Sequence, residues 1–138
     1  MPAKTYNLWV TVERATDVRG QWVAHVLDFD AVTQGNTIEH ALRMAGEAAA
    51  MIAVEDLGTH RDPTDRRAPE EDWERMFAIL RTAELISVAE IATREAELAC
   101  VVCTFELEVH QVPQPGEPKV PVAWSGARRL SDPSMHCA

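Results

Sequence analysis

Between positions 36 and 58 the chain carries one long helical signature built mostly from small residues, and it restricts the available folds more than any other feature. Ile38, Ala41, Leu42, Ala45, Ala48, Ala49 and Ile52 recur at spacings of three and four, which places them on one face of a helix. Alanine fills most of that face. Such a helix can approach its neighbour closely, and a flat sheet is the partner that suits it. Asn36-Thr37-Ile38-Glu39 has the spacing of a capping box. Asn36 is expected to accept from the Glu39 amide while the Glu39 side chain returns to the Asn36 amide. The helix is expected to stop near Leu57, with Gly58 as its left-handed cap.

Short strands precede this helix. Leu8, Val10 and Val12 alternate with Trp9, Thr11 and Glu13. Gly20 can take a positive φ in the polar connection that follows. Trp22 to Leu27 is almost continuously apolar apart from His25, which predicts a central strand covered on both faces. Ala31 to Gln34 reads as a third strand that ends at Gly35. Links this short make an antiparallel meander. The expected fold class is α+β: a three-stranded antiparallel meander with a helix packed across it, then a C-terminal helix and one or two further strands.

That later helix is expected over 69–82. Pro69 suits its first turn, Glu70, Glu71 and Asp72 match the positive end of its dipole, and Trp73, Phe77 and Leu80 form its apolar face. Residues 84–92 fit strand or helix, with strand preferred. From Leu98 to Val112 the pattern alternates, with Val101, Cys103, Phe105, Leu107 and Val109 on one face. Cys100, Thr104, Glu106, Glu108 and His110 lie on the other, which predicts a strand with one face towards water. Pro113, Pro115, Pro118, Pro121 and Pro133 then break any periodicity. Residues 113–138 are expected as an extended or disordered arm, leaving 1–112 as a single domain.

Charge narrows the function. The 138 residues include 13 Lys and Arg against 22 Asp and Glu, a formal charge of −9. Lys119, Arg128 and Arg129 against Glu117 and Asp132 give the arm +1, so residues 1–112 carry −10. Direct nucleic-acid binding needs clustered cations and is not expected; the acidic excess suits a basic protein partner or simply keeps the protein soluble. The first residues lack a signal-peptide core, and no apolar run approaches membrane length. With three cysteines, an odd number, the chain reads as cytoplasmic, in a reducing compartment.

The run Gln21-Trp22-Val23-Ala24-His25-Val26-Leu27-Asp28-Phe29-Asp30, followed by Val32-Thr33-Gln34-Gly35-Asn36-Thr37-Ile38-Glu39-His40-Ala41-Leu42, resembles the HicB-like antitoxin family. The resemblance spans about residues 7–57. It implies a partial ribonuclease-H-like fold and a bacterial toxin–antitoxin role, in which the domain neutralises a small basic ribonuclease of the HicA type. Oligomers are usual in that family, and a homo-oligomer, dimer or tetramer, is expected here. Many members append a DNA-binding module; here residues 69–112 form an elaboration with no evident recognition helix. The expectation is a non-catalytic protein that occludes the toxin with its acidic face. The alternative is an orphan HicB-like protein that self-assembles without a toxin, pairing the strand 98–112 across a symmetric interface.

Several residues invite chemical readings. Asp28, Asp30, Glu39 and Trp9 are the candidate partner-binding residues, with Gly35, Asn36 and Thr37 fixing the local geometry. On this reading Asp28→Lys slows partner association without unfolding the domain. Asp28 and Asp30, with Glu13 or Glu39, would need to converge for metal-dependent nuclease chemistry; a turn in which the aspartates bond backbone amides is preferred. Cys100 and Cys103 point to opposite faces of a strand and are read as core residues, not as a metal pair. His25 is read as a hydrogen-bonded histidine under the main helix in preference to a general base. No catalytic residue, metal or cofactor is expected.

Overall fold

β1 (Lys4–Arg14), β2 (Trp22–Val26) and β3 (Ala31–Gly35) form an antiparallel meander, and α1 (Ile38–Gly58) follows almost at once. The computed structural model describes residues 4–110, together with the backbone of 123–129 and 135–137. Downstream lie α2 (Glu70–Thr82), β4 (Glu84–Leu85), α3 (Val88–Arg94), β5 (Cys100–His110), β6 (Ala123–Arg129) and β7 (Met135–Cys137). The chain is α+β. Its main sheet runs β3-β2-β1-β5, antiparallel throughout. The other edge of β5 is taken by β6 along residues 105–110 and by β7 along 101–103, with β4 beyond β7. Two stretches of the segment expected as an arm are therefore sheet strands; residues 111–122 and 130–134 lie outside the described residues. Among the described residues both edges of β5 are occupied, one by β1 and the other by β6 and β7.

Alternation places Leu8, Val10, Val12, Trp22, Ala24 and Val26 beneath α1, and the odd-numbered residues from Val101 to Val109 join them. From the helix come Ile38, Ala41, Ala45, Ala49 and Ala53, each 0% exposed. The small stripe does what its size allows: α1 lies across the meander and reaches β5. Arg14 ties the turn that follows α3 to this layer. Its guanidinium donates to the carbonyls of Glu95, Ala96 and Leu98 and stacks over Trp22 at 4.4 Å. The Glu95 carboxylate accepts from the Ile38 amide at 2.7 Å, an anion at the positive end of α1.

The start and end of α1 are each displaced from expectation. Thr37, not Asn36, is the N-cap, and its hydroxyl accepts from the His40 amide at 3.0 Å. His40 Nδ1 in turn accepts from the Asn36 amide at 3.2 Å, so an imidazole takes the return role foreseen for Glu39. At the other end Gly58 is still helical, and His60 is the left-handed residue, at φ 60°. Gly20 adopts its positive φ, 81°.

The second sheet face carries a smaller core. Trp73 and Met76 of α2 cover Leu27, Cys100 and Val102, with Ala68 beside them. Cys100 to Phe105 are consequently buried on both faces, and outward exposure resumes only at Glu106. The solvent-facing side expected for this strand is thus limited to its second half. Met76 takes the place foreseen for Phe77, which is 45% exposed. Residues 84–92 divide into a two-residue strand and the start of α3, so the strand preference fails beyond Leu85. α2 leaves part of β2 uncovered, and Val23 and His25 stay half-exposed although the strand is central. Among the described residues no helix is long and apolar enough to cross a membrane.

Candidate functional site

β2 ends one residue before the turn that holds both aspartates, and the two carboxylates have different tasks. The Leu27 amide donates to the Trp9 carbonyl at 2.9 Å, continuing the ladder past the strand end. Asp28 Oδ1 then accepts from the Trp9 amide at 2.6 Å, standing in for the backbone oxygen that β2 no longer provides. Burial pushes the Asp28 carboxyl above its ordinary pKa, against the pull of the amides it accepts from. Asp28→Ala should cost about 1–3 kcal/mol by orphaning the Trp9 amide. Asp28→Asn, which keeps an acceptor oxygen, should stay within about 0.5 kcal/mol of the parent in urea unfolding; equal losses for the two would remove this role. Asp28→Lys deletes the acceptor along with the charge, so it does not isolate an effect on association.

Asp30 takes the left-handed conformation at φ 51°, which aspartate tolerates better than most residues. Its exposed carboxylate meets His25 Nε2 at 2.6 Å. His25 lies on the face opposite α1, not under it, because Ala24 and Val26 occupy the helix side. Asp72, in the first turn of α2, completes a group of three: one ligand atom from each of His25, Asp30 and Asp72 lies within 4.8 Å of the others. Beside this group runs a groove of about 250 Å³ lined in part by Thr11, Glu13, Val23, His25, Val32 and Arg75. Arg75 bonds Glu13 across it.

The remaining candidates are spread over the fold. Trp9 is half-buried against the core beneath α2. Glu39 is exposed at the start of α1 and borders a second groove, of about 150 Å³, with Val88 and Ile91. Gly35 is buried under α1, Thr37 caps that helix, and the Asn36 amide donates to the His40 imidazole. Asp28, Asp30 and Glu13 each bond a different partner, which is not the convergence that nuclease chemistry needs. Cys100 and Cys103 are buried in opposite cores, as alternation requires. Sequence reasoning missed Asp72, whose only signal was a place in an acidic first turn that many helices share.

The fold and this cluster define an α+β protein with a mixed imidazole and carboxylate group on the open side of its sheet. No protein-family model matches the chain, and no curated protein or solved structure matches it.

Proposed function

We propose that this chain is a non-catalytic, antitoxin-like protein that neutralises a small basic ribonuclease by covering its RNA-binding surface. The observation that carries the reading is charge. Residues 1–112 hold an excess of ten acids, while Arg14, Arg66, Arg67, Arg75 and Arg94 are engaged by carbonyls or carboxylates of the fold. The outward field is therefore acidic, and it competes with RNA for a cationic surface. The β1-β2-β3-α1 order agrees with the resemblance to HicB-like antitoxins over the same residues. Asp30 and Glu39 keep their place as exposed acids in this reading; Asp28 and Trp9 are reassigned to holding the β2–β3 turn and the core beneath α2.

The test mixes the purified chain with the product of an adjoining reading frame that encodes a small basic protein, and follows RNA cleavage. Cleavage should stop at stoichiometric addition. Glu39→Lys should slow association about threefold at low ionic strength, with the difference shrinking as salt is added. Cleavage that persists at large molar excess of the chain defeats the proposal. A second reading, self-assembly without a toxin, draws on β3. Among the described residues its outer edge is unpaired, and Val32 upon it is 60% exposed. Light scattering separates the two, since only self-assembly requires a stable oligomer of the chain alone.

A further inference from the structure

We infer that His25, Asp30 and Asp72 form a binding site for one divalent transition-metal ion, Zn²⁺ being the natural probe. The inference is independent of any toxin partner. Three separate elements supply the donors: β2 gives an imidazole nitrogen, the β2–β3 turn a carboxylate, and the first turn of α2 a second carboxylate. A purely acidic patch would suit Mg²⁺ or Ca²⁺, or simply water, but an imidazole among carboxylates shifts preference towards zinc and its neighbours. Zinc holds nitrogen and oxygen ligands at about 2.0–2.2 Å in a tetrahedral arrangement, which sets ligand atoms roughly 3.4 Å apart. The three atoms lie within 4.8 Å of one another, with His25 and Asp30 at 2.6 Å, so a bound ion would part that pair and draw Asp72 inwards.

The arginines nearest this group are engaged elsewhere. Asp72 makes no side-chain hydrogen bond or ion pair with any other described residue. Arg67 stacks over Trp73 at 4.1 Å and bonds Glu70, and Arg75 bonds Glu13. Two carboxylates and one imidazole thus share one small cluster, an arrangement a divalent cation neutralises. Three protein ligands leave at least one position for water or for a donor from a partner. Bound metal would also pin the first turn of α2 to the meander, and so stabilise the fold by ligand linkage.

The full chain, stripped with chelator, is titrated with ZnCl₂ by calorimetry, with MgCl₂ run in parallel. Expected is saturable binding of one Zn²⁺ per chain, a raised thermal midpoint, and much weaker Mg²⁺ binding. His25→Gln and Asp72→Asn should each weaken Zn²⁺ by about tenfold or more. Asp72→Asn breaks no bond in the fold, so it decides the matter if His25→Gln fails to fold. Absence of saturable Zn²⁺ binding overturns the site. So does unchanged affinity in Asp72→Asn, which would place the ion on other histidines or cysteines.

Discussion

Gly35→Ala is expected to destabilise the domain by about 3 kcal/mol or more, the upper end of what overpacking costs. A Cβ at this position would lie 2.4 Å from the Ala41 nitrogen, 2.8 Å from its Cα and 2.9 Å from the carbonyl carbon of His40. All three are backbone atoms in the first turns of α1. No rotamer change can relieve the contact, so β3 and the helix must part. That separation would open the layer in which Ala41 and Ala45 are fully buried. Gly20→Ala is the control: its position meets nothing within 4 Å, and only its φ of 81° resists a side chain. It should cost about 1–2 kcal/mol. Urea unfolding of both variants, read by circular dichroism, checks the difference. A Gly35→Ala loss no larger than that of Gly20→Ala would mean that helix and sheet are not in close contact there.

Arg66→Ala should cost more than Asp56→Ala, although each deletes the same ion pair. Asp56 has a side chain only 2% exposed, and its two oxygens accept from Arg66 Nε at 2.6 Å and Nη2 at 2.8 Å. It stands in the last turns of α1, where the helix dipole already opposes negative charge. Removing Arg66 leaves that buried carboxylate without its counter-ion. Removing Asp56 leaves an arginine that is 45% exposed and simply rehydrates. Asp56→Ala should lose about 2 kcal/mol, the worth of hydrogen bonds to a charged group, and the double variant should be no worse than Arg66→Ala alone. Equal losses for the two single variants would contradict the asymmetry.

The same pair carries a pH dependence of definite sign. Hydrogen bonds from Arg66 hold the Asp56 carboxyl below its ordinary pKa, outweighing the effect of burial. A depressed folded pKa means that this stabilisation is complete well above the unfolded value of about 3.9. It is lost as pH falls through that value towards the folded one. Stability measured from neutral pH into the acid range should therefore fall less steeply in Asp56→Ala than in the parent chain below about pH 4.

Local chemistry determined a good part of this protein from sequence alone. The alternation of Leu8, Val10 and Val12, the short links at Gly20 and after Leu27, and the alanine face of α1 each act within a few residues. They give the meander and its covering helix without reference to anything distant. The capping box was legible in kind but not in register, because Asn36 and Thr37 are both competent caps and it is the Thr37 hydroxyl that meets an amide, that of His40. Position 35 was legible as glycine, yet its reason, the backbone of Ala41 overhead, belongs to packing.

What lay beyond the sequence depends on chain returning from far away. Whether α2 would fall on β5 decided that Cys100 to Phe105 are buried on both faces, and periodicity within one strand carries no record of what covers it. The turn aspartates show the same division. Their place beside a strand end was readable; the Trp9 amide for Asp28, and His25 with Asp72 for Asp30, are set by tertiary neighbours up to 42 positions apart in the chain. A carboxylate's role depends on the partner within about 3 Å of it, and only the tertiary structure supplies that partner.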